Sequence, residues 1–597
     1  MVKEGYIIDY ISGLEVKATP EEIEAVQVYS KILVEDKGYP RNLIVTHPQH
    51  RVKVRPSDRK KEYPVDIAVF NNSIDDDNIL IVVECKKKNR NDGITQLKDY
   101  LRFCKADFGV WFNGNASQCI RKIEKNGRVD FVEIPGIPNY GQRIEDVGMY
   151  KRCDLKPTHN LKTTFKAIRN HLAANNVGAT RDEILAQQLI NLIFCKIYDE
   201  RFTKPDEILT FRAGIDESDN EVVKRITQLF DLVRRKYKDV IDEDDKITLD
   251  PKSVVYVVGE LQNYCLIDTE RDVIADAFEV FIGHSLKGDE GQFFTPRNVV
   301  KMIVDIIDPS DEDMIIDPAC GTGGFLVESL RHVWNQLDEE GIRYGWNDEN
   351  LHEEKMEVAI GKIRGIDKDS FLSKIAKAYM AILGDGKSGI FCEDSLNIIS
   401  EWSDKTRFKV DMGIFSVVLT NPPFGSKIPV RGEEKLKQYD LGYKWSKDKK
   451  TGQWSKGSLK DKESPQVLFI ERCIQLLRFG GRMGIVLPDG IFGNDTAGYI
   501  REWLKKQGRI IAVIDLPLET FSPNTTTKTS VLIFEKRKPE DIPNDYEIFM
   551  AIADSCGHDR RGGETEEDDI IEIAPKYKEW AKKQNDLLFR DEHIIGG

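Results

Sequence analysis

Apolar residues recur along this 597-residue chain in three successive patterns. Up to residue 135, alternating runs such as YPVDIAVF and NILIVVECK predict adjacent strands, and TPEEIEAVQVYSKILVEDKG predicts a helix before them. Over 158–285 the apolar spacing is helical, so we expect an all-helical domain. Over 286–565 short apolar runs alternate with helical stretches, which predicts a doubly wound, mainly parallel sheet. The chain is therefore predicted to be a multidomain α/β protein.

Two segments fall outside these patterns. Residues 136–157 include most of EIPGIPNYGQR (133–143), whose prolines and glycines are typical of a linker. Residues 566–597 form a C-terminal tail, which we expect to bind a partner. The predicted boundaries are thus 1–135, 136–157, 158–285, 286–565 and 566–597.

Composition narrows the class of protein. With 40% hydrophobic and 31% charged residues, the chain has an ordinary globular composition. No apolar run reaches the roughly 18 residues of a membrane span, and the N-terminus is unlike a signal peptide. Ten scattered cysteines without C-x-x-C pairs favour a cytoplasmic location. The net charge of −14 excludes a uniformly basic surface but allows local basic clusters, notably 51–63 and the seven lysines of 444–462.

A glycine-rich turn follows the apolar strand in MIIDPACGTGGF, residues 314–325. Such a turn at the carboxyl end of a parallel strand lets the backbone approach a cofactor, but it also suits a dinucleotide, another nucleotide or packing alone. Acids end this strand and the next two: Asp317, Asp367 and Asp394. Asp367 is placed to accept from ribose hydroxyls and Asp394 to meet an adenine edge.

The fourth strand ends in VVLTNPPFG, residues 417–425. Proline stops the strand, and the step offers the Asn421 carboxamide oxygen, a backbone carbonyl fixed by proline geometry and the Phe424 ring. Two acceptors facing an exocyclic amine would aim its lone pair at an electrophile, while the ring stacks on a flipped-out base. These features predict transfer to a nucleobase amine, and they do not separate adenine from cytosine.

The ordered segments GQFFTPR, DPACGTGGF, GID, EDSL and LTNPPFG resemble the amino-methyltransferases of the gamma arrangement. The resemblance implies methylation of adenine in DNA with S-adenosylmethionine. It implies catalytic roles for Asn421, Pro422, Pro423 and Phe424. It implies cofactor contacts from Gln292, Phe294, Thr295, Arg297, Asp317, Ala319, Gly321, Thr322, Gly323, Asp367, Asp394 and Asn421.

The helical stretch 158–285 and the phrase IFMAIADSCGHDRRG are similar to the modification subunit of type I restriction–modification systems. In those subunits the helical part helps to close around DNA. In that setting the lysine stretch with Trp445 and Trp454 is interpreted as a mobile loop over DNA, the alternative being a solvated loop.

A second chemical pattern lies near the N-terminus. Asp66 lies in YPVDIAVF, and Glu84, Cys85 and Lys86 end ILIVVECK. Alternate strand positions share a face, so Glu84 and Lys86 should point together beside Asp66. Asp66, Glu84 and the Cys85 carbonyl would hold Mg²⁺, and Lys86 would orient the attacking water. The alternative is an edge strand with a solvated acid and lysine, but the strongly apolar strand favours a central position.

Residues 19–110 resemble the PD-(D/E)xK nuclease domain of type I restriction R subunits, in which a Gln-x-x-x-Tyr pair follows the lysine. Gln96 and Tyr100 match that pair, and Glu22 matches an upstream acid. The resemblance implies Mg²⁺-dependent DNA cleavage, with Gln96 in the catalytic set.

Together these patterns predict a bifunctional restriction–modification protein that methylates adenine and cleaves unmodified DNA. There is no G-x-x-x-x-G-K-[ST] loop, so the architecture is closer to type IIG or IIB nuclease–methyltransferase fusions. Expected partners are double-stranded DNA and a separate specificity subunit in a hetero-oligomer, or recognition residues beyond Gly597. The alternatives are a methyltransferase with a silent, DNA-binding nuclease-like domain, a methyltransferase of RNA or protein, and a non-enzymatic scaffold.

Overall fold

The computed structural model describes residues 2–583, apart from 4, 56, 59, 62, 89, 91, 126–127, 159, 176–181, 239, 268–294, 384–388, 426–427, 523–524, 526, 544 and 562. The chain forms two compact units. Unit 1 comprises residues 1–238 and 242–285, and unit 2 comprises 239–241 and 286–597. Among the described residues, no helix is long and apolar enough to cross a membrane.

Unit 1 begins with the predicted helix. The Thr19 hydroxyl accepts a hydrogen bond from the Glu22 amide (3.1 Å), and Pro20 follows as the first helical residue. Helix α1 (Gln27–Lys31) continues between two π-helical segments, Glu22–Val26 and Ile32–Asp36. The helix ends before Gly38, where the backbone takes a φ of +74° that glycine accommodates.

The strands of unit 1 build one main sheet of six strands. The ten strands of the unit are β1 Tyr6–Ile8, β2 Glu15–Lys17, β3 Ile44–Val45, β4 Arg51–Val52, β5 Tyr63–Pro64, β6 Ile67–Phe70, β7 Ile79–Cys85, β8 Phe108–Phe112, β9 Ser117–Lys125 and β10 Arg128–Ile134. The sheet order is β10-β9-β8-β7-β6-β3. Strand β7 runs antiparallel to β6 and parallel to β8, which confirms its predicted inner position and excludes the edge-strand interpretation.

The described residues of unit 1 contain five further α-helices. They are α2 Ile94–Phe103, α3 Leu161–Asn175, α4 Asp182–Phe202, α5 Asp219–Lys236 and α6 Pro251–Leu261. Helix α2 packs on β7 and β8 through Leu97 and Leu101. The described part of 158–285 is helical, as the periodicity predicts. It joins the sheet closely, because the Ser117 hydroxyl of β9 lies 3.1 Å from the Tyr256 hydroxyl and donates to Glu260 (2.8 Å), both on helix α6.

Unit 2 contains an eight-stranded sheet. Its strands are β11 Ile315–Asp317, β12 Ile363–Asp367, β13 Ile390–Cys392, β14 Phe415–Thr420, β19 Leu477–Pro488, β20 Gly508–Asp515, β21 Thr529–Lys536 and β22 Phe549–Ile552, in the order β13-β12-β11-β14-β19-β21-β20-β22. All neighbouring pairs are parallel except those that β21 makes with β19 and β20. The predicted, mainly parallel sheet is therefore confirmed as a mixed sheet, with β21 reversed.

Ten helices accompany this sheet in the described residues. They are α7 Arg297–Ile307, α8 Gly324–Tyr344, α9 Asp348–Glu357, α10 Ser370–Leu383, α11 Asp404–Lys409, α12 Glu433–Lys437, α13 Pro465–Leu476, α14 Gly490–Gly493, α15 Gly498–Gln507 and α16 Ile570–Lys583. Helix α16 lies in the predicted tail and buries Ile570 and Tyr577. Part of that tail is thus a packed helix, and its partner-binding role stays a prediction.

Between β14 and α13 the chain inserts residues 430–463. The insertion contains two strand pairs: β15 Val430–Arg431 with β18 Lys462–Glu463, and β16 Tyr443–Lys447 with β17 Trp454–Leu459. A further pair, β23 Cys556–His558 and β24 Glu564–Asp568, follows the main sheet. The lysine stretch, interpreted above as a mobile loop, therefore contains an antiparallel β-hairpin.

Candidate active sites

A cleft opens at the carboxyl ends of β11, β12 and β14, where the sequence places its glycine turn, acids and Asn-Pro-Pro-Phe step. It measures about 1180 Å³, including its solvent-filled mouth. Its lining includes Thr295, Asp317, Ala319, Gly321, Thr322, Asp367, Asp394, Asn421, Pro422, Pro423 and Phe424. The predicted residues thus converge on one place, although chain segments 126 residues apart supply them.

Four predicted cofactor residues are not among the lining residues. Gln292 and Phe294 lie outside the described residues. Arg297 begins helix α7 and is not among the lining residues. Gly323 also stays out of the lining; its φ of +91° turns the chain from β11 into α8. At Gly321 and Gly324 an added Cβ would meet no other atom within 4 Å, so the turn borders open space.

The acids of the cleft are held by backbone amides. Asp317 accepts from the Ala319 amide (3.0 Å), and Asp367 accepts from the amides of Gly321 (2.8 Å) and Asp369 (2.9 Å). Burial and the nearby Asp367 charge raise the pKa of Asp317 to about 7. Burial also raises the pKa of Asp367. Both carboxyls are buried, so a bound polar ligand would interact with them strongly.

Asp394 has a partner that the sequence did not reveal. One of its oxygens accepts from the Leu396 amide (2.9 Å), and the other lies 2.7 Å from the Lys435 ammonium of helix α12. An adenine amine approaching Asp394 would share the carboxylate with this lysine. The insertion therefore contacts the residue predicted to read the adenine edge.

Asn421 carries the most informative polar atom of the cleft. Its amide nitrogen donates to the Thr295 hydroxyl (2.9 Å), which fixes the orientation of the carboxamide. Its oxygen Oδ1 is buried and has no hydrogen-bond partner among the described residues. Leaving a buried acceptor unpaired costs about 1–3 kcal/mol, so such an atom calls for an explanation. A donor from a bound molecule would satisfy it.

A second group of predicted residues meets at the end of β7 in unit 1. Glu84 is 2% exposed, and its carboxylate contacts the Lys86 ammonium. Asp66 accepts from the Cys85 amide (2.7 Å) and from the Gln49 side chain (3.2 Å). The Lys86 ammonium also lies 3.2 Å from the Cys85 carbonyl. The predicted shared face of Glu84, Lys86 and Asp66 is thus present.

Burial dominates the electrostatics of this centre. It raises the pKa of Asp66 to about 6, and with the neighbouring Asp66 charge it raises the pKa of Glu84 to about 7. Burial opposes the Lys86 charge, but contact with Glu84 leaves the Lys86 pKa above its usual value. The buried carboxyl of Glu84, the half-buried carboxyl of Asp66 and a backbone carbonyl are hard oxygen donors, a set that fits Mg²⁺.

The surroundings of the centre hold these groups in place. Gln96 donates to the Tyr100 hydroxyl, which reaches the Pro64 carbonyl (3.3 Å). Gly93, with a φ of +112°, leaves space for the lysine stem, since an added Cβ would lie 2.9 Å from Lys86 Cε. The role of Gln49 at Asp66 was missed, because only the fold brings that residue to the site.

Glu22, matched above to an upstream acid, lies in a separate cluster with Asp9 and His47. The Gln27 amide bridges Asp9 (2.8 Å) and Glu22 (2.7 Å), while His47 lies 3.2 Å from Glu22. Thr46 and Ser12 also donate to Asp9. The polar atoms of this cluster satisfy one another.

A Rossmann-like sheet with a glycine turn, acids at successive strand ends and an Asn-Pro-Pro-Phe step defines the class of S-adenosylmethionine-dependent amino-methyltransferases. Comparison with known families agrees. Residues 269–591 match the family described as N-6 DNA Methylase, and the chain belongs to that family. Residues 20–138 match the family described as Type I restriction enzyme R protein N terminus.

Individual relatives point the same way. The chain is 28% identical over 348 residues to the Type I restriction enzyme EcoEI methylase subunit of Escherichia coli, covering 54% of this chain and 61% of that one. It is 23% identical over 269 residues to the Type II restriction enzyme and methyltransferase RM.BcgI of Heyndrickxia coagulans, covering 44% of this chain and 34% of that one. The chain thus spans less than two thirds of the length of either relative.

A solved structure is also similar, with a TM-score of 0.47 and 17% identity. It is the type I restriction-modification system methyltransferase subunit from Streptococcus thermophilus, and the match covers 71% of this chain and 94% of that one.

Proposed function

We propose that the cleft of unit 2 transfers a methyl group from S-adenosylmethionine to the exocyclic amine of adenine in DNA. The observation that carries the proposal is the buried, unpaired Oδ1 of Asn421, oriented by the bond from its amide to Thr295. A buried carboxamide oxygen without a partner among the described residues, in a cleft that is also lined by the glycine turn, suits an amine donor. Membership of the N-6 DNA methylase family supports adenine over cytosine.

The residues present fit the cofactor. The glycine turn leaves open space at Gly321 and Gly324, and the buried carboxyls of Asp317 and Asp367 are placed for its ammonium and ribose groups. When bound, S-adenosylmethionine supplies an electrophilic methyl group on a sulfonium sulfur.

The chain contributes orientation. Asn421 Oδ1 and a backbone carbonyl of the Pro422–Pro423 step accept the two N–H groups of the amine, so its nitrogen lone pair points at the methyl carbon. With S-adenosylmethionine bound, the lone pair of the amine would form the N–C bond as the C–S bond breaks, sulfur would keep the C–S electron pair, and the amine would release one proton to water. Holding the reacting groups together supplies much of the acceleration.

The direct test uses the purified chain, with and without a co-expressed specificity subunit, tritiated S-adenosylmethionine and unmethylated duplex DNA. Label recovered as N6-methyladenine is the expected result. Label in cytosine, RNA or protein would overturn the substrate assignment.

We also propose that unit 1 cleaves unmodified DNA with Mg²⁺. The gathering of Asp66, Glu84 and Lys86 at the end of an inner strand supports it, and so does the match to the R-protein N terminus. Asp66, Glu84 and the Cys85 carbonyl would hold the cation, which polarises a scissile phosphate when bound. Lys86 would then orient the attacking water. The alternative is a methyltransferase with a silent nuclease-like domain that only holds DNA.

Recognition is proposed to come from a separate specificity subunit, as the similarity to type I methylase subunits suggests. Gel filtration and pull-down with the products of neighbouring genes would reveal it. Site-specific methylation by the isolated chain would contradict it.

A further inference from the structure

The hairpin β16–β17, residues 443–459 and here named the lysine hairpin, has no part in the cleft chemistry described above. It belongs to the insertion 430–463, which leaves and rejoins the fold at the cleft rim. The ladder of β15 with β18 closes the insertion, and Val430 and Pro465, just inside and just beyond its two ends, both line the cleft. The lysine hairpin is therefore rooted beside the candidate active site.

Aromatic packing fastens the hairpin to helix α15. Trp445 stacks on Tyr499 with ring centroids 6.1 Å apart and planes 17° apart, and Trp454 lies 5.9 Å from the same ring. The Trp445 indole donates to the Asp440 carbonyl (3.1 Å). Gly498 leaves space for this contact, since an added Cβ would lie 3.0 Å from Trp454. The two tryptophans thus anchor the hairpin instead of facing a ligand.

The outward surface of the hairpin is positive. Residues 443–459 contain five lysines and one acid in a chain of net charge −14. That acid, Asp448, accepts from the amides of Lys450 (2.7 Å) and Thr451 (2.8 Å), so it shapes the tip. Lys444, Lys449 and Lys450 are exposed, and among the described residues no carboxylate lies within ion-pair distance of them.

The same surface lacks the apolar residues of a protein interface. Residues 443–459, all of which are described, present no exposed large apolar side chain. Cores of protein interfaces are enriched in aromatic residues and depleted in lysine. Exposed lysines on a rigid polar ribbon are suited to phosphates, which they contact as point charges without reading sequence.

We propose that the lysine hairpin binds the phosphodiester backbone of DNA next to the nucleotide presented to the cleft. This proposal rests on the proposed function, because DNA is the substrate assumed for the cleft. Each lysine that neutralises a phosphate releases condensed counterions, so the contact makes binding depend on salt.

The test is the triple variant Lys444→Gln, Lys449→Gln, Lys450→Gln in the full chain. A matched control is Lys409→Gln, Lys506→Gln, Lys538→Gln, which changes the net charge equally at exposed positions outside the hairpin. Binding of an unmethylated fluorescent duplex is measured against salt concentration in the presence of S-adenosylmethionine, and cofactor affinity is measured by calorimetry.

The slope of log K against log salt concentration is negative. We expect it to become less steep by about 0.9 for each lysine replaced in the hairpin, and to change little in the control variant. Cofactor affinity should match wild type. An unchanged slope, an equal fall in the control or no duplex binding by the wild-type chain would overturn the proposal. So would normal DNA binding with lost capture of the specificity subunit, which would assign the surface to a protein partner. This experiment measures DNA binding and not methyl transfer. A failure of the proposed methyl transfer is therefore detected in the separate transfer assay described above.

Discussion

The cleft of unit 2 and the centre at the end of β7 are both built from carboxyls at strand ends, yet they differ in how their polar groups are paired. In the cleft, Asn421 Oδ1 is left without a partner and the glycine turn borders open space. At the other centre, Glu84 contacts Lys86, and Asp66 accepts from Cys85 and Gln49.

The two sites therefore differ in how far their polar groups must rearrange before a ligand binds. In the cleft, the bond to Thr295 orients the Asn421 carboxamide, so in the proposed mechanism the acceptor is positioned before the substrate amine binds. At the end of β7 the polar groups pair with one another, so a cation must compete with the Lys86 ammonium for Glu84. Buried carboxyls without a cation also favour their neutral forms, as their raised pKa values indicate.

The largest expected effect is that of Asn421→Ala. Removing a positioned polar group from an active site typically costs about 10²–10³ in rate, so methyl transfer should fall at least that far. Cofactor affinity should change little, because the proposed contact is to the base. Tritiated methyl transfer and calorimetry measure the two quantities.

Thr295→Val is the matched control for orientation. It removes the bond to the Asn421 amide but leaves Oδ1, so it should cost about 0.5–1.5 kcal/mol, roughly tenfold or less. If Asn421→Ala and Asp367→Ala weaken cofactor binding equally, the assignment of Asn421 to the base is wrong.

The next effect concerns the nuclease-like centre. Lys86→Ala should lower Mg²⁺-dependent cleavage by about 10²-fold or more, a typical contribution of a positioned proton-handling group, and should spare methylation. Plasmid breaks and methyladenine are measured on one sample with Mg²⁺ and S-adenosylmethionine.

Lys88→Ala serves as the control, since Lys88 is a nearby exposed lysine that lies 3.5 Å from Glu24. Methyladenine without breaks in the wild type under every condition would instead assign the centre to holding DNA or to structure.

A smaller effect should appear in the pH dependence of cofactor binding. Burial raises the pKa of Asp317 to about 7, so its carboxyl is mostly neutral below that pH and charged above it. The charged form attracts the cofactor ammonium, and affinity should therefore rise as pH increases through about 7. Calorimetry across this range gives the profile.

Asp317→Asn should remove the rise in cofactor affinity that is due to ionisation of the Asp317 carboxyl. The amine of the cofactor also titrates, roughly at the pH of 7.7–8.0 expected for an α-amino group. This second titration affects the wild-type protein and the Asp317→Asn variant alike. Only the difference between the two profiles reports Asp317, and identical profiles would remove it from the ammonium site.

The smallest effect is expected from Lys435→Met. Lys435 occupies an oxygen of Asp394 (2.7 Å), and a partly exposed ion pair is worth about 0.2–1 kcal/mol. Freeing Asp394 should therefore strengthen cofactor binding by up to roughly fivefold, as equilibrium dialysis can measure. Lys437→Met, at a lysine that pairs with Glu433 instead, is the control. Weaker binding in Lys435→Met would mean that the lysine supports the pocket.

The sequence predicted the candidate site best where a residue with a functional side chain lies at the end of a strand. Asp317, Asp367 and Asn421 each close an apolar run, so a parallel sheet brings them to one edge without further information. The inner position of β7 follows similarly from its apolar residues.

What the sequence could not give depends on contacts between distant segments. The bond from Asn421 to Thr295, the pairing of Lys435 with Asp394 and the approach of Gln49 to Asp66 leave no local pattern. The lysine stretch was interpreted as a loop although its two tryptophans were evident, because their packing partner, Tyr499, lies 45 residues or more further along the chain and leaves no local pattern.

The join between the nuclease-like sheet and the helices that follow it has a consequence for how such chains can be rearranged. The Ser117 hydroxyl of the sheet lies 3.1 Å from the Tyr256 hydroxyl and donates to the Glu260 carboxylate (2.8 Å), and the Asn170 amide donates to the Asn115 carbonyl (2.9 Å), so polar groups of the two parts satisfy one another. Cutting the chain between them would leave these groups without their partners. Recombination that keeps a folded product would therefore exchange residues 1–285 as one heritable block, and a graft of the first 135 residues alone would carry an unfinished core.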